Sequence, residues 1–282
     1  MTAGDGGVRV LFEDRWLLAV DKPAGVIVHG DGTGARTLTD DVRAHLVAAG
    51  EDEAARQLQA VQRLDRDTTG VVLFSKDKAV QATLDAALAG RAGGASGGVL
   101  ASARPTGTDD RAAARPAGTD ARAVTRADAT DDRAARKRYL AVVRGEFPWR
   151  ARTFGGPIGR DRHDARRMRV SRTGKVAETR VTRLAVAGGP AARRSLLLVE
   201  LVTGRKHQIR VHLAHAGFPV LGDALYGVPA DRGPHAPGLM LHAREEMLVH
   251  PVTDETLDLV APCPERIRSL FLDTELPATL VP

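Results

Sequence analysis

A chain of 282 residues with 43% hydrophobic and 27% charged side chains can bury a substantial core, as a soluble globular protein does. Its one cysteine, Cys263, excludes an internal disulfide framework and a cysteine metal cluster and suits a reducing compartment. No apolar stretch reaches transmembrane length, and Met1–Val10 lacks the basic-then-apolar run of a signal peptide, so the expectation is a soluble cytoplasmic protein without membrane association.

The formal charge is +6, and its position matters more than its size. Between Lys137 and Lys175 stand twelve Lys or Arg and three acids, a surplus larger than that of the whole chain. A stripe of this kind is the electrostatic footprint of a polyanion, most often nucleic acid. The competing reading is a solvated arginine-rich surface with no partner.

Residues 1–9 are read as a disordered N-terminus. From Leu11 to Val28, two short apolar runs predict two strands, with Glu13-Asp14-Arg15 as the turn and Pro23 and Gly25 ending the second. A helix is predicted over Thr37–Ala49, capped by Thr39 or Asp40, with Gly50 just past its end. Gly30-Asp31-Gly32-Thr33-Gly34 is glycine-rich, but no Gly-Lys-Ser/Thr follows, so it is not read as a phosphate loop.

The run Arg63-Leu64-Asp65-Arg66-Asp67-Thr68-Thr69-Gly70 carries the most information. It sets the Asp65 carboxylate between two arginines, directly before the strand-like Val71-Val72-Leu73-Phe74. A carboxylate at a strand edge beside fixed positive charge is a candidate nucleophile or base. A turn residue or half of a salt bridge is the plainer alternative.

Gly90–Ala135 is almost entirely Ala, Gly, Arg, Asp, Thr and Pro and has no aromatic residue. Such a composition cannot offset its own ordering entropy, so the segment is read as a loosely ordered insertion in a surface loop. Strands are predicted over Lys137–Gly145 and Ser195–Val202. In Thr203–Gly217, Ile209, Leu213 and Ala216 recur at helical spacing and Gly217 stops the helix, leaving His207, Arg210 and His215 on other faces. His207, His212 and His215 have no carboxylate at ligand spacing, so no metal site is read. Cys263, between two prolines, is read as structural.

Several blocks together resemble the RluA-type pseudouridine synthases. They are Leu17–Gly25, Arg63-Leu64-Asp65 with Thr68-Thr69-Gly70, and Lys137–Ala141. To these add Thr203-Gly204-Arg205 with His207–His212, Pro219–Asp223 with Leu225-Tyr226-Gly227, Leu241-His242-Ala243, His250-Pro251 and Ala261-Pro262. They follow the family's order from about Val10 to Leu270, the insertion apart. Gln62 stands where the family usually has His, and Thr69 where it usually has Ser. Both departures spare the carboxylate, so activity is expected to survive them, with RNA contacts near the site open to change. The catalytic part begins so near residue 10 that no S4 RNA-binding domain is expected before it.

The resemblance implies an α+β fold over residues 10–282, with a mixed, largely antiparallel sheet, flanking helices and an RNA cleft. It implies isomerisation of uridine to pseudouridine in ribosomal or transfer RNA, with no cofactor, by a chain read as a monomer. By the same resemblance Asp65 is the catalytic aspartate, Arg210 its partner and Tyr139 the tyrosine that packs on the target base. Arg63, Arg66, Arg160, Arg166, Arg167, Arg169, Arg205, Lys206 and His207 are the expected RNA contacts. The rival readings are a non-catalytic RNA-binding protein of the same fold, and a hydrolase using Asp65 with a histidine.

Overall fold

A computed structural model describes residues 7–30, 32, 34–89, 135–231 and 236–280. Most of the expected insertion and residues 1–6 therefore lie outside the described residues. Val8 packs against the core, Arg9 pairs with Asp21 at 3.5 Å, and Ala135, at the edge of the expected insertion, is buried.

Two apolar runs form β1 (Val10–Glu13) and β2 (Leu17–Lys22), which pair antiparallel as expected. Next come α1 (Leu38–Ala48), α2 (Asp52–Gln57), β3 (Gln59–Ala60), β4 (Thr69–Ser75) and α3 (Lys78–Ala89). The cap of α1 is Thr37, not Thr39 or Asp40. Its hydroxyl accepts from the Asp40 amide while the Asp40 carboxylate accepts from the Thr37 amide, a reciprocal capping box. Thr39 is instead buried, its hydroxyl donating to the Val28 carbonyl at 2.7 Å.

The second half supplies β5 (Arg136–Arg144), β6 (Ala151–Phe154), β7 (Ile158–Arg160), β8 (Met168–Val170), β9 (Thr179–Ala187) and β10 (Arg194–Leu201). It closes with α4 (Gln208–His215), β11 (Leu241–Val249), β12 (Thr256–Val260) and α5 (Glu265–Arg268). The main sheet runs β1-β2-β4-β11-β5-β10-β9-β6, with β3 beside β4 and β12 beside β11. All its pairings are antiparallel except β4 with β11, so the sheet is mixed and largely antiparallel, as the resemblance implied. The first part of the basic stripe lies in β5 and β6 of the main sheet, and its later part folds as a separate two-stranded hairpin, β7 with β8.

The central strands are buried on both faces, which is why they read as unbroken apolar runs. Leu17, Ala19, Val71 and Leu73 pack with Val80 and Leu84 of α3 on one side. Their neighbours Leu18, Val20, Val72 and Phe74 pack with Leu38, Val42 and Leu46 of α1 on the other. That is the period-two alternation of a strand. A larger core joins β5, β9, β10 and β11 to Ile209 and Leu213 of α4 and Ile267 of α5.

Gly70 sits where β4 meets β11. Its φ is +109°, and a Cβ there would lie 2.1 Å from the Ala243 carbonyl oxygen. No other residue lets the two backbones approach this closely. The pairing Thr69–His242 and Gly70–Ala243 thus fixes the end of the loop that carries Asp65.

Candidate active site

Asp65 lies in the loop between β3 and β4, its side chain 27% exposed. The loop turns back on itself, the Thr68 amide donating to the Asp65 carbonyl at 3.1 Å. Beneath it lies Lys22, wholly buried at the end of β2. The Lys22 ammonium donates to the carbonyls of Arg66 at 2.7 Å, Thr68 at 2.8 Å and Pro23 at 2.9 Å. All three ammonium hydrogens are therefore used in holding the two segments together. Burial pushes the Lys22 pKa down to about 8, against the pull of Asp67 and Asp65.

The flanking arginines do not supply the charge beside Asp65. Arg66 is exposed and donates to the Gly25 carbonyl at 3.1 Å, and Arg63 is exposed. The partner comes from α4, where Arg210 Nη1 donates to Asp65 Oδ2 at 2.6 Å. The same guanidinium donates through Nε and Nη2 to the two oxygens of Asp223, both at 2.8 Å. Arg210 thus bridges two carboxylates, one fully buried and one partly exposed.

This placement corrects the expectation that Arg210 lies on a helix face away from the core. Every residue from Gln208 to Leu213 is buried, because α4 is enclosed by β8 and β9 as well as the main core. Burial works against the charge of Arg210, yet the Asp223 and Asp65 carboxylates outweigh it and raise its pKa. Burial alone would raise Asp223, but hydrogen bonds from Arg210 and from the Tyr226 and Leu225 amides hold it below the usual carboxylate value. Both charges of the buried pair are thereby satisfied.

His207, the residue before α4, has a left-handed backbone with φ of 57°. Its Nε2 lies 3.6 Å from Asp65 Oδ1, and its Nδ1 lies 2.8 Å from the Tyr226 hydroxyl. The Tyr226 ring in turn has the Arg210 and Arg167 guanidiniums at 5.2 and 5.1 Å from its centroid. Its hydroxyl accepts from the Met168 amide of β8 at 2.7 Å. Tyr226 therefore joins the basic hairpin to the Asp65 cluster.

Tyr139 stands on β5, nearly buried, opposite Ala243 of β11, which itself pairs with Gly70. Arg160, Arg166 and Arg169 are exposed on the hairpin, and Arg166 pairs with Asp164 at 2.8 Å. Arg205 donates to the Val176 carbonyl at 3.0 Å, and Lys206 is exposed. His212 is spent internally, on the Thr179 hydroxyl at 2.9 Å and the Gly156 carbonyl at 2.7 Å.

Gln62 and Thr69 both face inward. Gln62 donates to buried Glu246, and Thr69 bonds His242 Nδ1 at 2.9 Å and accepts from Arg266 at 3.0 Å. They brace the loop from behind. Burial depresses the His242 imidazole to about 3, so it pairs with Thr69 in its neutral form. Asp223, Tyr226 and Lys22 were assigned no role from sequence. The available signal for the first two was the Gly222-Asp223 turn followed by Leu225-Tyr226-Gly227, thirteen residues after Arg210.

Residues 16–92 and 118–215 match the family described as RNA pseudouridylate synthase. The chain is 32% identical over 266 residues to a Bacillus subtilis (strain 168) protein named uncharacterized RNA pseudouridine synthase YhcT, covering 94% of this chain and 72% of that one. It is 31% identical to ribosomal large subunit pseudouridine synthase C of Yersinia pestis, over 96% of this chain and 70% of that one. The fold is similar to that of human RNA pseudouridylate synthase domain containing 1, with a TM-score of 0.61 and 22% identity, covering 93% of this chain and 86% of that one.

Proposed function

Because the chain belongs to the RNA pseudouridylate synthase family, we propose that the Asp65–Arg210–Asp223 cluster is its catalytic centre. The protein is an isomerase that acts on RNA. The reaction breaks the N1–C1′ bond of a uridine, turns the base and joins C5 to C1′. It transfers no electrons and needs no group donor. The chain must supply an ionised carboxylate, a place for an extruded base and a grip on the RNA.

The observation that carries this reading is the 2.6 Å contact from Arg210 to Asp65, with the same guanidinium locked on Asp223. A buried, doubly paired guanidinium holds the Asp65 carboxylate in place and aims one of its oxygens. The other, Oδ1, lies 3.6 Å from His207 Nε2. Tyr139 offers a ring for the uridine, which must leave its helix or sit in a loop to be reached. The exposed arginines of the β7–β8 hairpin take the phosphates, setting affinity rather than choice of sequence.

Ribosomal RNA is the first substrate to try, since relatives bear the name ribosomal large subunit pseudouridine synthase. No described helix is long and apolar enough to cross a membrane, which suits work in the cytoplasm. The test incubates purified protein with unmodified ribosomal and transfer RNA transcripts and maps pseudouridine by carbodiimide stops. Stops at one or a few uridines with the natural protein, absent with Asp65→Asn, are expected. Conversion by Asp65→Asn at the natural rate would overturn the assignment.

A further inference from the structure

Two hydrogen bonds converge on one phenol oxygen beside the proposed catalytic carboxylate. The Met168 amide donates to the Tyr226 hydroxyl at 2.7 Å, and His207 Nδ1 lies 2.8 Å from the same oxygen. A phenol has one proton to give. With the Met168 N–H already pointing at the oxygen, that proton is free to go to His207 Nδ1. A neutral imidazole that accepts at Nδ1 carries its own proton on Nε2. Nε2 is the atom that faces Asp65 Oδ1, at 3.6 Å.

We propose that Tyr226 is a positioning residue for the isomerisation: its hydroxyl fixes His207 as the Nε2–H tautomer, so that Asp65 meets an N–H on Oδ1 while Arg210 holds Oδ2. The inference rests on Asp65 being the catalytic carboxylate. At 3.6 Å the His207 contact is longer than a hydrogen bond, and such contacts commonly tighten once substrate is bound. The opposite tautomer would turn a nitrogen lone pair toward a carboxylate oxygen, repelling it from its aimed position.

Three features show that the arrangement is built. His207 adopts a left-handed backbone, which is uncommon outside glycine and is kept only where surrounding contacts hold it. The Tyr226 ring has guanidiniums from both sides of the cleft against it, Arg167 of the hairpin and Arg210 of α4. The Met168 amide belongs to β8, so the hydroxyl is aimed by the hairpin that carries the exposed arginines.

The charged and titratable groups around His207 are Asp65, Arg210, Lys206, Asp223 and Tyr226. Burial lowers its pKa, with Arg210 and Lys206 acting the same way and Asp65 opposing. The imidazole is therefore neutral at pH 8, where a choice between tautomers exists. Protonation puts a hydrogen on both nitrogens and removes the choice.

The test compares Tyr226→Phe with the natural protein on the same RNA from pH 8 down through the lowered pKa of His207. The ring and its stacking remain in the variant. At pH 8 kcat is expected to fall about three- to tenfold, the scale of one hydrogen bond, with KM unchanged. As pH falls through the His207 pKa, which burial sets below the ordinary imidazole value, the ratio of variant to natural kcat is expected to recover, because protonated His207 again presents Nε2–H. A deficit that is the same at every pH would mark a merely structural role and overturn the proposal, as would no deficit at all. In parallel, nitrogen-15 shifts of His207 in the natural protein report the tautomer directly, and the Nδ1–H form would overturn it. Asp65→Asn is run beside them. Natural turnover in that variant would sink the catalytic assignment itself, whereas a dead Asp65→Asn with an unaffected Tyr226→Phe would sink only the tautomer argument.

Discussion

The Asp65 cluster and the β7–β8 hairpin both consist of charge, arranged in opposite ways. In the cluster, Arg210 is 7% exposed and Asp223 is wholly buried, and each has its full set of partners. On the hairpin, Arg160, Arg166 and Arg169 are exposed, and the Arg166–Asp164 pair is open to water. Charges in a low-dielectric setting hold position and act strongly on a group a few ångströms away. Exposed charges are screened by salt, cost little to move and contribute to affinity by releasing counterions. The first arrangement suits chemistry at one atom, and the second suits a grip on a long polyanion.

The sharpest way to break this division is Asp65→Asn. Turnover is expected to drop at least about a thousandfold, while the melting temperature and RNA affinity stay near natural values. A comparable loss of RNA binding would merge the two regions into one. Asp223→Asn should act through structure instead. It leaves the Arg210 guanidinium buried without a charged bidentate partner, at an expected loss of about 3–5 kcal/mol by denaturant titration and a fall in kcat. The pH sign follows from the lowered pKa of Asp223. Its contribution is fully present above the unfolded carboxylate pKa and is lost as pH falls through the lower folded value. The stability gap between the natural protein and Asp223→Asn should therefore narrow in strong acid.

Replacing Arg160, Arg166 and Arg169 together by Ala should raise KM about three- to thirtyfold and flatten the dependence of log KM on log salt. Turnover at saturating RNA should stay within about twofold. A large fall in kcat would show that the hairpin does more than bind. The smallest effect is expected from deleting residues 93–117, which lie between the two family-matched segments. We propose that this stretch is dispensable, with changes in stability within about 0.5 kcal/mol. Such a deletion must spare Ala135, which is buried against the core of β2 and β4.

β1, β2, β4, β5, β10, α1 and α4 were legible because continuous apolar runs and helical spacing are local signals, whereas β6 to β9, β11 and β12 were not read. Asp65 was legible as a candidate from its own neighbourhood, and the resemblance singled out Arg210 and Tyr139. The surroundings of these residues were not legible. That Arg210 is buried depends on β8 and β9 closing over α4, and nothing in Gln208–His215 itself announces this. Arg63 and Arg66 looked like partners of Asp65 because they adjoin it, yet the partner arrives from 145 residues away. Lys22 was given no role from the sequence. Its role under the loop emerges only when β2 lies beside β4 in register, Lys22 opposite Gly70. Sequence proximity is a poor guide to charge pairing wherever a sheet brings distant segments together.

The parallel seam between β4 and β11 joins the Asp65 loop to a strand synthesised more than 170 residues later. Thr69 and Gly70 are held by His242 and Ala243, and the loop ahead of them is aimed by Arg210 and Asp223. A growing chain that has not yet extruded β11 has a free seam and no seat for Asp65. Activity should then switch on abruptly as the last strands join, and chains stalled on the ribosome before residue 241 should be inert toward RNA.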